Sequence, residues 1–430
     1  MHDDRDATPS ASVRPRVLIV ATGRDRGALA AVRAFHAAGW FVGVGTPDGG
    51  GVLGSSADCD ATYSVPRPRN DGLAFIAGVN AAAADGFDVV FGGGDDWMAA
   101  LSAYRHELRI PVAHPAYDVV ETVLDKVRLA EYATKVGIAS PYTELATDDA
   151  LAVWDGPVII KCREHWAPQQ TRPLRIEAKL FPSAEHAQPQ VERIRAAGAH
   201  PVLQAPVAGT LGAVIGVFHE GRLTGRTQQV SSHLWPTPNG ASARASTVHL
   251  DEELLAKVEA LLLELGWHGL VELQFLTGPD GVPHLIDFNG RFFGSLALAE
   301  SAVPGLIRTW GEIALGLGGA KALPDARPGR RYAWFAGDLR RARLERRSGL
   351  VHDVVATARW SLTAQHSTWS VRDPWPSLTL VFGRMGGKRL VHALRRTARS
   401  MSSGTRRSGA RSSTRPATYT DSTPRPTTAP

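Results

Sequence analysis

The sequence predicts an α/β domain built on a parallel sheet, then a mixed α+β domain, a C-terminal extension and a disordered tail. Three observations carry this. The stretch "RVLIVATGRDRGALAAVRAFHAAGWFVGVGTPD" (16–48) reads strand, glycine turn, helix, strand, which is a βαβ unit. In the middle of the chain, runs such as "AVIGVFHEGRLTGRTQQV" (213–230) are joined by tight turns, as antiparallel strands are. From about residue 400 the composition is Ser, Thr, Arg and Pro, too poor in apolar surface to offset the entropy of ordering.

Residues 1–14 read as a disordered leader, and 15–115 as the α/β domain. Within it "FDVVFGGGDDWMAALSAYR" (87–105) repeats the form of an apolar run, glycines and an amphipathic helix, and "IPVAHP" (110–115) reads as a further short strand. The mixed domain is placed at 116–320. "DKVRLAEYATKVGIASP" (125–141) is a helix stopped by Gly137. "GPVIIKC" (156–162) and "HPVLQAPVAG" (200–209) are strands, and the run at 213–230 is a hairpin turning at Glu220-Gly221. "DEELLAKVEALLLELG" (251–266) is a helix with Asp251 as N-cap and Gly266 past its end. "LVELQFLTGPDGVPHLIDFN" (270–289) is a hairpin around Asp280-Gly281. Residues 321–390 form the extension, in which "VRDPWPSLTLVFG" packs onto the body, and 391–430 the basic tail. No internal repeat is present.

A chain of 430 residues with 43% apolar and 21% charged residues has material for two or three domains and a large core. It opens on the polar "MHDDRDATPS", without the apolar core of a signal peptide, and holds no apolar run long enough to span a bilayer. The two cysteines, Cys59 and Cys162, allow neither a disulfide framework nor a Cys-based zinc site and point to the cytoplasm. The net charge of +6 belongs to the tail: residues 388–430 hold ten Lys and Arg against one acid, so the rest sums to −3. Charge therefore gives no reason to read the body as nucleic-acid-binding.

The chemistry is carried by the hairpin at 270–289. Strand side chains alternate between faces, so Glu272 and Gln274 share one face of its first strand, and Asp287 and Asn289 one face of its second. If those faces coincide, four oxygen donors converge, with Arg291 beside them. A hard cation such as Mg²⁺ takes oxygen ligands, commonly one or two carboxylates plus substrate phosphates, and an arginine fork suits phosphate oxygens. Lys126, opening a helix, and Lys161, ending an apolar strand, are placed to reach a phosphate. Together these suggest phosphoryl transfer. Elsewhere the signals are weaker. "TGRDRG" (22–27) lacks the spacing of a dinucleotide loop, and His114, His165, His233 and His249 have no ligand spacing.

In order and spacing these motifs resemble the ATP-grasp ligases over about residues 16–318. The resemblance lies in the preceding α/β domain, "LDK" before an amphipathic helix, "VGIASP", "PVIIK", "VLQAPVAG", "LVELQF" and "LIDFNGRFFGS". It implies a Rossmann-like pre-ATP-grasp domain followed by an ATP-grasp fold. It also implies an enzyme, a carbon–nitrogen ligase that activates a carboxylate as an acyl phosphate and passes it to an amine. ATP and Mg²⁺, or Mn²⁺ in its place, would be its cofactors. By the same resemblance Lys126 and Lys161 contact ATP phosphates, and Gln204 and the backbone near Val207 hold the adenine. Gln274, Asp287 and Asn289 bind the metal with Glu272 as a further acid. Arg291 neutralises phosphate charge, and Arg244 in "NGASARAST" contacts the acyl phosphate or the acceptor. The implied partners are a small carboxylate and a small amine, with self-association left open.

The chain departs from the family in three places. "CREHWAPQQTRP" after Lys161 has no glycine where a Gly-rich phosphate loop is usual. "QAPVAGTLG" has no acid for the ribose, and the metal strand has Asp287 and Gly290 where Glu and Pro are commoner. The alternatives are activation of bicarbonate, as in carboxylating relatives, and nucleotide binding without catalysis.

Overall fold

The computed structural model describes residues 14–164, 166–168, 177–317 and 322–384. The leader, much of the segment after Lys161 and the basic tail lie outside these. The chain divides into a unit running to Leu380 and a second from Val381 to Pro430. All that follows concerns the first.

A parallel sheet comes first, of β1 (Arg16–Val20), β2 (Phe41–Thr46), β3 (Ala61–Ser64) and β4 (Val89–Gly92), in the order β3-β2-β1-β4. Its connections carry α1 (Arg26–Ala37), α2 (Gly51–Gly54) and α3 (Gly72–Ala83), and α4 (Asp95–Ala103) leaves β4. After Arg16 strand β1 is apolar because helices cover both faces of such a sheet: Val17, Leu18, Ile19 and Val20 are fully buried. Asp25 caps α1, its carboxylate accepting from Ala28 N. The "IPVAHP" stretch differs from its expected strand, pairing with β4 only through a bridge from Val112 to Val90. Pro111 and Pro115 bracket it, and a proline has no N–H to extend a ladder.

Helices α5 (Tyr117–Leu124) and α6 (Lys126–Lys135) lead into a four-stranded antiparallel sheet. Its strands are β5 (Thr143–Leu145), β6 (Val158–Cys162), β7 (Lys179–Phe181) and β8 (Pro201–Gln204), in the order β5-β8-β6-β7. Helices α7 (Asp148–Val153) and α8 (Ala184–Ala196) share its core, where Val158, Ile160, Ala187, Val191, Ile194 and Leu203 are buried together.

A seven-stranded sheet follows, in the order β13-β12-β9-β10-β11-β14-β15. Its long strands are β9 (Thr210–His219), β10 (Arg222–Trp235), β11 (Ala241–Thr247), β12 (Gly269–Thr277) and β13 (Pro283–Asn289). The hairpin turn between β9 and β10 puts Glu220 and Gly221 at positive φ, as expected. Helix α9 (Glu252–Glu264) covers one face with Leu254, Leu255, Val258, Leu261 and Leu262, each fully buried leucine contributing about 1.5–3 kcal/mol. Its cap is Asp251, accepting from Leu254 N. The opposite face meets α10 (Leu296–Ala302), α11 (Leu306–Ala314) and α1 in a core that includes Ala213, Ile215, Phe292, Phe293 and Trp310. The extension adds β14 (Arg331–Ala333), α12 (Phe335–Glu345), α13 (Leu350–Ser361), β15 (Gln365–His366) and α14 (Trp375–Arg384). The "VRDPWP" segment packs onto the first domain through Asp373. That residue accepts from Arg33 Nε at 3.0 Å, Ser56 Oγ at 2.7 Å and Ala57 N at 2.8 Å. Among the described residues no helix is long and apolar enough to cross a membrane.

Candidate functional site

The hairpin of β12 and β13 sets Glu272 opposite Asn289 and Gln274 opposite Asp287. The two faces coincide, and a bulge after Gln274 shifts only the turn end of the ladder. Glu272 is buried at the centre of this group. Its Oε2 accepts from Gln274 Nε2 at 3.0 Å and Asn289 Nδ2 at 2.9 Å, and its Oε1 from Ser295 Oγ at 3.2 Å. Ser295 accepts in turn from Gln229 Nε2 at 2.9 Å. Burial pushes the Glu272 carboxyl up to about 7, against the nearby charge of Arg291 and the hydrogen bonds from Gln274 and Ser295. One N–H of each amide is thus taken by Glu272, and the carbonyl oxygens of Gln274 and Asn289 remain as acceptors for a ligand. Glu272 thus stands behind these oxygens, each of its own accepting at least one hydrogen bond.

Lys126 pairs with Asp287, and Lys161 feels the charge of both. Lys126 is buried at the first position of α6, and its Nζ donates to Asp287 Oδ1. That position is fixed by Asp125, which caps α6 through Val127 N and Arg128 N and accepts from Arg163 Nε at 2.7 Å, tying the helix to the end of β6. On β6 the alternation sends Val158, Ile160 and Cys162 into the core and Lys161 to the other face. Burial holds the Lys161 ammonium down to about 8; the Lys126 charge adds to this and Asp287 opposes it. Lys126, Lys161 and Asp287 therefore form one charged group.

Gln204 ends β8 on the same face as Lys161, since Ile159 pairs with Gln204 and Lys161 with Val202. It is buried, and its Nε2 donates to Thr143 Oγ1 at 2.8 Å. Val207 is half-buried in the linker from β8 to β9. That linker runs close along β12: a Cβ on Gly209 would sit 2.5 Å from Thr277 O.

Arg291 closes the other end. Its Nε and Nη2 donate to the two oxygens of Asp95 at 2.8 and 3.3 Å. Burial works against its charge, but Asp95, Asp25 and Glu272 more than offset this and hold the guanidinium above its ordinary range. Asp95 lies in the first turn of α4, and Asp25 caps α1, so both stand at the carboxyl ends of the parallel strands, where open α/β sheets place ligands. One contact fixes this approach. Gly27 lies so close to the chain after β13 that a Cβ would meet Phe293 O at 2.5 Å. His114 is buried and accepts from Gly92 N at 2.8 Å through Nε2.

Arg244 is not part of this group. Strand alternation puts Ala245 and Tyr332 against Leu298 of α10, and Arg244 on the opposite face of the sheet. There its Nε donates to Asp338 of α12 and its Nη2 to Thr357 of α13 at 2.9 Å. Sequence reasoning passed over Asp95, Asp25, Ser295 and Gln229. Asp95 had a local signal in the turn "FGGGDD"; its pairing with Arg291, 196 residues on, had none. Among the described residues no three His, Cys, Asp or Glu cluster as a metal site. The donor set is the Asp287 carboxylate, which also accepts from Lys126, with two amide oxygens. That fits a cation that keeps several waters and takes phosphate oxygens, such as Mg²⁺, better than one needing a full protein cage.

No protein-family model matches the chain. No curated protein matches it. Solved structures do. An L-amino acid ligase from Bacillus licheniformis superposes with a TM-score of 0.58 at 14% identity, over 74% of this chain and 79% of that one. The biotin carboxylase domain of the Hydrogenobacter thermophilus 2-oxoglutarate carboxylase gives 0.57 at 14% identity, over 73% of each chain. An N5-carboxyaminoimidazole ribonucleotide synthetase gives 0.55 at 14% identity, over 74% and 81%. The chain has the ATP-grasp fold, with an α/β domain before it and an extension after it.

Proposed function

We propose that the protein is an ATP-dependent ligase that activates a carboxylate as an acyl phosphate and transfers it to an amine. The observation that supports this most is the coincidence of Asp287, Asn289 and Gln274 on one strand face with Lys126 and Lys161 at its side. In this reading Lys126 and Lys161 take the ATP phosphates, with Lys126 exchanging Asp287 for phosphate oxygens when nucleotide enters. Gln204 and the linker at Val207 border the adenine. A Mg²⁺ held by Asp287, Asn289 and Gln274 would neutralise phosphate charge. Glu272 keeps the two amide oxygens turned toward it, and Arg291 steadies the phosphate end while Asp95 holds its fork.

The reaction needs no covalent nucleophile from the chain. A substrate carboxylate oxygen attacks the γ-phosphorus as the bond to the β–γ bridging oxygen breaks, releasing ADP. The amine then attacks the acyl carbon, phosphate leaves and the amine nitrogen loses a proton. Positioning and charge supply the catalysis.

Bicarbonate is the competing substrate. The Hydrogenobacter thermophilus domain of like fold was solved with MgADP and bicarbonate. The experiment is ADP release from ATP and Mg²⁺ over pooled carboxylates and amines, with a parallel arm of radiolabelled bicarbonate. Release that requires both a carboxylate and an amine supports amide formation. Release driven by bicarbonate with retained label replaces it by carboxylation. ATP binding with no release in any pool leaves a nucleotide-binding module.

A further inference from the structure

Helix α13 and strands β11 and β14 border a cavity of about 410 Å³ on the face of the large sheet away from Glu272. Among the described residues that line it none is Asp or Glu, while Arg244, Arg331, Arg359 and His352 all line it. The charge of Arg244 is already met by Asp338, which also accepts from Arg341, Thr357 and His233. Arg331 and Arg359 are not so met. Arg331 donates to the Thr363 hydroxyl at 3.2 Å, and Arg359 is exposed with no hydrogen-bond or ion-pair partner among the described residues.

The pocket is also stiff. Trp360 forms a wall, its ring pinned by Nε1 donating to Tyr332 O at 2.9 Å. The guanidiniums of Arg331 and Arg244 stand over that ring at 4.8 and 5.6 Å from its centroid. Held over the ring, Arg331 loses less freedom on meeting an anion than a free side chain would. Val355 and Ala356 complete an apolar side. Two uncompensated cations match a phosphate monoester, which carries about −1.5 to −2 charges at neutral pH, better than a single carboxylate. The planar wall suits a flat apolar body.

We propose that this pocket binds a phosphate monoester with a flat apolar body, the phosphate on Arg331 and Arg359 and the body against Trp360. The inference is independent of the ligase reading. Phenyl phosphate, inorganic phosphate and benzoate are titrated calorimetrically into the full chain, wild type, Arg359→Glu and Lys161→Ala. Phenyl phosphate is expected to bind tightest of the three, about tenfold weaker in Arg359→Glu and unchanged in Lys161→Ala. Arg359 is exposed, so its variant folds. A lipid headgroup shares the same chemistry, and co-sedimentation with phosphatidic-acid vesicles tells the sources apart. Arg359-dependent binding of vesicles or of phenyl phosphate supports the site. No binding of either, binding indifferent to Arg359→Glu, or binding lost in Lys161→Ala overturns it.

Discussion

A carboxylate that accepts from two amides and a hydroxyl, as Glu272 does, acts through the groups it holds. Replacing it by Gln would set an NH₂ against the NH₂ groups of Gln274 and Asn289 and turn their oxygens out of place. Glu272→Gln is expected to lower ATP turnover about 10–100-fold, the usual cost of losing a partner behind a metal ligand, with the fold kept. Unchanged turnover would remove Glu272 from the site. His114 gives a second test. Burial, with Arg105 nearby, holds its imidazole down to about 3, against an ordinary 6.5. The folded state keeps it neutral, while the unfolded chain takes up a proton below about 6.5. Stability therefore falls as pH drops from about 6.5 toward 3, by up to about 1.4 kcal/mol per pH unit from this group. Denaturant titrations at two acidic pH values should show a steeper loss in the wild type than in His114→Gln; equal slopes would contradict the assignment. The ordering of Glu272, Gln274, Asp287 and Asn289 was legible because period-two alternation fixes which side chains share a face. The hydroxyl of Ser295 and the carboxylate of Asp95 were not, because tertiary packing alone brings them in.

At the scale of elements, the hairpin β12–β13 was readable from its alternation and its Asp280-Gly281 turn, helix α6 from its closing Gly137, and α9 from its cap and closing glycine. What failed was the assignment of single side chains to an environment. Arg244 stands in a polar run whose pattern marks neither face, and the bulges in β10 opposite it shift the register further. Only the packing of α12 and α13 decides where it points. The docking of the first domain onto β13 was equally hidden, because it depends on Gly27 lying against Phe292 and Phe293, far away in sequence. Gly27→Ala should cost about 1–3 kcal/mol by overpacking and disturb Arg291 with it. The measurement is the denaturant midpoint together with ATP turnover, and a variant that loses neither would mean the contact is loose.

At the scale of the whole molecule, charge is segregated. The tail from residue 388 carries +9 and the remainder −3. A chain ending at residue 384 should keep ATP turnover and lose any salt-sensitive binding to DNA that the full chain shows, since such binding follows the number of cations engaged. DNA binding that persists in the shortened chain would place a basic surface on the body. The proposed site stands or falls with the β13 face. The most direct measurement is ADP release by the wild type, Asp287→Asn and Asn289→Ala in the presence of ATP, Mg²⁺ and a carboxylate and amine that support turnover. The account predicts turnover in the wild type and its loss, by at least about 100-fold, in both variants. Turnover at the wild-type rate in both would contradict it.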